Sequence, residues 1–93
     1  MARALHLVSY DVRCPKRWRR VFGMLKRRGA HRQLSVFFVR LDGSALRQLR
    51  ADLAAAIDPT QDSVLIVSVE GAAAGVTELG QSGPLPGARV VVL

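Results

Sequence analysis

Asp11 is the only acidic residue among the first forty, a stretch that also carries eleven Lys and Arg residues. An isolated carboxylate can anchor a hydrated Mg2+, an ion that keeps several waters and often takes only one or two protein carboxylates. Metal on an arginine-rich surface suits phosphodiester hydrolysis, because the ion activates water and offsets charge on the phosphoryl oxygens. One Asp makes a poor site, but a two-fold axis would bring two together. Asp11 also has a plainer reading, as the N-cap of the helix that follows or as the ion-pair partner of Arg17 or Arg20. Spacing alone leaves both readings open.

Other catalytic groups are sparse. The two His residues, His6 and His31, and the single Cys14 make no convincing Ser/His/Asp or Cys/His constellation. His6 falls mid-strand and His31 at a strand start, and both read as structural or surface residues. Cys14 precedes Pro15 on a basic loop, a setting that can lower a thiol pKa, although an inert exposed thiol is commoner. A lone cysteine excludes an internal disulfide and a cysteine-rich metal site, and it suits a reducing compartment. There is no dinucleotide fingerprint and no P-loop.

The net charge of +7 hides a polarity, with residues 1–40 at +10 and residues 41–93 at −3. Twelve of the fourteen basic residues are Arg, whose planar fork matches phosphate. The front half therefore reads as a polyanion-binding surface, with Lys16, Arg17, Arg19, Arg20, Arg27, Arg28 and Arg32 as its candidate contacts.

These residues must be positioned by one small domain, 1–93, whose 49% hydrophobic content is globular. No apolar run approaches the ~18–20 residues of a membrane span. The apolar start, Met1 to Val8, runs into Asp11 and basic residues without a small-residue cleavage site, so a cytoplasmic protein is expected. A chain this short buries about 60–65% of its unfolded surface, and oligomerisation is the expected support.

Residues 4–10 read as a strand. Pro15 suits a helix start, and Trp18, Val21, Phe22 and Leu25 fall on one helical stripe, with Gly29 as the stop. Lys16, Arg20 and Arg27 take the opposite face, flanked by Arg17 and Arg28 on one side and by Arg19 and Lys26 on the other. Gly23 costs about 1 kcal/mol against Ala in a helix, which suggests a close approach there. Residues 31–41 read as one strand or as two with a bend near Gln33. Ser44 is the expected N-cap of a second helix carrying Leu46, Leu49, Leu53 and Ile57, and Asp58-Pro59 ends it. Ser63 to Glu70 is a strand. The Gly/Pro-rich segment 71–87 is mostly turn, with a short strand at Val76 to Leu79, and Ala88 to Leu93 is the last strand.

This order predicts an α+β ferredoxin-like sandwich, with both helices on one face of an antiparallel sheet. The strands are apolar on both faces: Leu34, Val36 and Phe38 against Phe37, Val39 and Leu41, and Val64 and Ile66 against Leu65, Val67 and Val69. Two helices cover one face, so a second copy is expected on the other; the alternative is that the terminal strands fold back over it.

Tyr10-Asp11-Val12, Lys16-Arg17, Arg20-Val21, Gly29, Gln33-Leu34-Ser35-Val36-Phe37 and Asp62-Ser63-Val64 occur in this order. From about residue 5 to 70 the chain resembles the small CRISPR-associated spacer-acquisition proteins, the lesser partner of the CRISPR integrase. The resemblance implies a homodimer with sheets face to face, and Mg2+ held by Asp11 of both protomers for endonuclease action on RNA or DNA. It also implies a scaffold role, in which double-stranded DNA lies between integrase dimers and Arg residues meet its phosphates. Tyr10, Arg17 and Arg20 would support substrate or structure, and Ser35 and Phe37 would serve the sheet and its dimer face. His31, Trp18, Phe38 and Val67 depart from the family pattern; Trp18 stands where a basic residue is common.

Two functions follow: a DNA-binding integrase scaffold, and a Mg2+-dependent endonuclease with Asp11 as ligand. A third, a general RNA-binding ferredoxin-like module, is weakened because Phe37 and Phe38 are adjacent and point to opposite faces, away from a shared stacking surface.

Overall fold

The computed structural model describes residues 3–69, 77–78 and 91–92, with the backbone alone at Arg32 and in the last two pairs. Strands and helices alternate as β1 (Ala4–Asp11), α1 (Pro15–Lys26), β2 (Gly29–Gln33), β3 (Val36–Leu41), α2 (Gly43–Ala56) and β4 (Ser63–Ser68). The four strands form one antiparallel sheet in the order β2-β3-β1-β4. This is the expected α+β ferredoxin-like arrangement, with β1 and β3 in the centre. Two further strands, β5 (Thr77–Glu78) and β6 (Val91–Val92), pair in parallel. The rest of the expected tail, 70–76 and 79–90, lies outside the described residues, as does Leu93.

Pro15 opens α1, where its missing N–H costs nothing. Val21 and Leu25 are fully buried, and Trp18 and Phe22 pack beside them, as the stripe predicts. α2 buries Leu49 and Leu53. Its N-cap is Asp42, two residues before the expected Ser44, because the Asp42 carboxylate accepts a 2.8 Å hydrogen bond from the Ala45 amide. Both helices lie over Val8, Tyr10, Phe37, Val39 and Leu41 of the central strands.

Residues 31–41 resolve into two strands joined at Leu34-Ser35, one residue beyond the expected bend. Gly29 begins β2 instead of capping α1. A Cβ there would overlap the Phe38 carbonyl and sit 2.5 Å from Val39 Cγ1. The close approach expected at Gly23 is absent: the nearest atom is Arg27 Nη1, 3.7 Å from a Cβ built there.

The face away from the helices carries Leu5, Leu7, Val36, Phe38 and Val69 as a second apolar cluster. On the same face, Leu65 is 60% and Val67 42% exposed. Phe37, expected at a dimer face, instead points under the helices and is fully buried. Phe38 is the one on the far side.

Gly29→Ala should therefore destabilise the fold by about 1–3 kcal/mol through overpacking. Gly23→Ala should be neutral or stabilise by up to about 1 kcal/mol. Urea unfolding midpoints of the two variants check this, and equal behaviour would contradict it.

Candidate nucleic-acid and metal site

Asp11 ends β1, opposite Ser63 of β4, and is exposed. Strand alternation places it on the far face with Leu5, Leu7 and Ser9. Neither plainer reading of Asp11 is realised. The residue at the N-cap position of α1 is Cys14, and the carboxylate that pairs with Arg17 is Asp62. No group of three His, Cys, Asp or Glu side chains among the described residues is arranged to hold a metal. Among the described residues Asp11 thus stands as a single open carboxylate at this strand end, which fits a hydrated Mg2+ only with a second carboxylate from elsewhere.

Asp62, to which the sequence pattern gives no role, anchors this end of the molecule. Its buried carboxylate accepts from Arg17 Nε at 2.6 Å and Arg17 Nη2 at 3.2 Å. It also accepts from the Arg13 amide at 3.0 Å and the Asp58 amide at 2.9 Å. The bond from Arg17, with the backbone donors, holds its pKa well below the usual carboxylate range despite burial. The loop leaving Asp11, the first turn of α1 and the approach to β4 are thereby tied to one side chain. Only its place in the Asp62-Ser63-Val64 stretch marks it in the sequence.

Arg17 is therefore committed to the fold. Arg28 is similarly engaged, donating to Asp52 at 2.8 Å and to the Met24 carbonyl at 3.1 Å. Lys16, Arg19, Arg20 and Arg27 are exposed, and Lys16, Arg20 and Arg27 share the helix face opposite the core stripe. Arg32 sits in β2.

Tyr10 is buried on the helix side, opposite in sense to Asp11. Burial raises its phenol pKa, and its hydroxyl donates to the Leu34 carbonyl at 3.4 Å. Its amide donates to the Ser35 carbonyl at 3.1 Å, so Ser35 acts on the end of β1 through its backbone. Tyr10 also stacks on Phe37, at 6.2 Å between ring centroids. The pair supports the strand that presents Asp11. The amides of Arg17 and Lys16 lower the pKa of the Cys14 thiol.

A two-layer sandwich with an open carboxylate at the end of a central strand and a basic helix beside it defines a small ferredoxin-like protein with an anion-attracting face. Residues 4–75 match the family model described as CRISPR associated protein Cas2. The chain belongs to the Cas2 family.

The chain is 42% identical over 64 residues to CRISPR-associated endoribonuclease Cas2 1 of Rhodospirillum rubrum, covering 69% of this chain and 63% of that protein. It therefore matches less than two thirds of that relative's length. It is 36% identical over 91 residues to CRISPR-associated endonuclease Cas2 2 of Thermus thermophilus, covering 98% and 97%. Among solved structures it resembles the hypothetical protein TT1823 from Thermus thermophilus, with TM-score 0.76, 36% identity and coverage of 90% and 98%. It also resembles Streptococcus pyogenes Cas2, with TM-score 0.63, 30% identity and coverage of 67% and 81%.

Asp62→Asn should lower the thermal midpoint at neutral pH. A carboxylate whose folded pKa is depressed contributes stability above its ordinary value of 3.8, and that contribution disappears as pH falls toward the lower folded value. The gap between wild type and Asp62→Asn should thus narrow with acid. Thermal unfolding from neutral pH down to about pH 2 checks this; a gap independent of pH would contradict it.

Proposed function

We propose that this chain acts as a homodimer that binds double-stranded DNA and the CRISPR integrase during spacer acquisition, with a Mg2+-dependent endonuclease centre at Asp11. The observation that carries this reading is the position of Asp11, open to solvent on the same sheet face as the exposed Leu65 and Val67. Two copies packed through that face would bury the apolar side chains and turn two carboxylates toward one axis. When bound there, Mg2+ supplies an activated water and charge stabilisation for phosphodiester hydrolysis. Asp11 of each chain would hold the ion, and Tyr10 would keep the strand end in place.

The DNA face is the exposed row Lys16, Arg20 and Arg27, with Arg19 beside it. Arg17 and Arg28 serve this face by bracing α1. The Cas2 relatives named as endoribonuclease and endonuclease support phosphodiester chemistry, with single-stranded RNA as the other substrate. The general RNA-binding reading is weaker, because Phe37 lies under the helices and cannot share a stacking surface with Phe38.

A cleavage assay on duplex DNA and single-stranded RNA, with Mg2+ or EDTA, tests the enzyme reading. Asp11→Asn should abolish Mg2+-dependent cutting and leave duplex affinity within about twofold. No cutting by folded wild type, or equal cutting by Asp11→Asn, would leave the scaffold alone. Alanine at Lys16, Arg20 and Arg27 together should flatten the salt dependence of duplex binding by roughly 0.9 in log–log slope for each phosphate that is no longer neutralised. An unchanged slope would remove that face from the account.

A further inference from the structure

Where β1 meets α1, a groove of about 470 Å3 is lined by Val12, Arg13, Pro15, Trp18 and Arg19. That volume falls within the ~300–1,000 Å3 of small-ligand sites. Val12, Pro15 and the Trp18 indole make it apolar, and it lies one residue along the chain from Asp11.

The indole is half-buried and fixed by other rings. It stacks on Phe22 at 5.1 Å and 13°, and meets Tyr10 at 6.4 Å and 59°. Phe22 and Tyr10 both rest on Phe37. The indole is thus held in place from the core side before any ligand arrives. Arg13 and Arg19 are exposed, and neither guanidinium has a hydrogen-bond or ion-pair partner among the described residues. The Arg13 backbone is pinned by Asp62. No acid lines the groove.

A fixed aromatic ring flanked by two open guanidiniums is the combination that binds single-stranded nucleic acid. The ring takes the face of a base, and the cations take the phosphates on either side. A base stacked within a duplex has no free face to offer. We propose that this groove holds an unpaired nucleotide, its base on the Trp18 indole and its phosphates on Arg13 and Arg19. The inference rests on the nucleic-acid reading above, but on neither cleavage nor duplex binding. It would hold a strand by its base at the junction of β1 and α1, whatever its sequence.

Trp18 is the only tryptophan in the chain, so the intrinsic tryptophan fluorescence of the full-length protein reports on this groove alone. Oligouridylate and oligothymidylate should quench it, and the stronger quencher identifies RNA or DNA as the preferred strand. An abasic strand of equal length should bind more weakly and leave the emission unchanged.

Trp18→Leu should weaken single-strand binding, read by anisotropy, about 5- to 150-fold, the worth of one stacked base. The log–log salt slope should stay the same, because every phosphate keeps its cation. Arg13→Ala should instead flatten that slope by about 0.7. Should Trp18→Leu fail to fold, Trp18→Phe keeps a smaller ring, and the wild-type quenching already decides the matter.

Single strands that bind without quenching, an abasic strand that binds as tightly, or no single-strand binding would each overturn the proposal. Any of these with duplex binding intact would leave the scaffold reading standing. Quenching with duplex binding absent would remove the duplex reading and keep the groove.

Discussion

Two helices cover one face of a four-stranded sheet whose other face is also apolar. Apolar surface left in water costs about 25 cal/mol per Å2. On that face Leu5 and Phe38 are already buried within the chain, while Leu65 and Val67 are exposed, and Asp11 ends a strand on the same side. Stability and the proposed chemistry are therefore linked at one surface. Whatever covers the apolar side chains also decides what faces the carboxylate. In the proposed homodimer a second copy does both, and a site that is half-made in one chain becomes whole.

The end of β1 is held from the opposite side. Asp62 gathers two bonds from Arg17 and one each from the Arg13 and Asp58 amides. Charge-assisted bonds to a buried carboxylate are strong and geometrically demanding. They fix the loop that follows Asp11 and occupy one of the arginines that would otherwise belong to the basic face. Arg28 is occupied too, by a partly exposed Asp52. The excess positive charge of the first half thus divides into residues that build the fold and residues left for a polyanion.

Much of this is legible in the sequence because it is local. The stripe through Trp18, Val21, Phe22 and Leu25 is a matter of helical period, and the order of elements follows from strand-like and helix-like runs. The ferredoxin-like architecture follows from that order, and the family from the resemblance carried by Tyr10-Asp11-Val12, Gln33 to Phe37 and Asp62-Ser63-Val64. Phe37 is expected on the wrong face because β3 is apolar in both alternating sets, so pattern alone does not say which set meets the helices. The N-cap moves to Asp42 because several capping residues sit within three positions. Gly29 reads as a stop signal, whereas its absent side chain is needed for contact with β3, a neighbour set by pairing and not by propensity. The bond between Arg17 and Asp62 spans 45 positions, and no spacing rule links residues so far apart.

The central claim is that two Asp11 carboxylates, one from each copy, make a single cation site across the apolar face. A Mg2+ titration by calorimetry tests it most directly, together with sedimentation of the same sample. The account predicts a particle of twice the 10.1 kDa chain mass that binds one Mg2+ per two chains. Leu65→Glu should abolish both properties, and Asp11→Asn the metal alone. Mg2+ binding at one ion per chain, or binding that survives Leu65→Glu in a monomer, would contradict it.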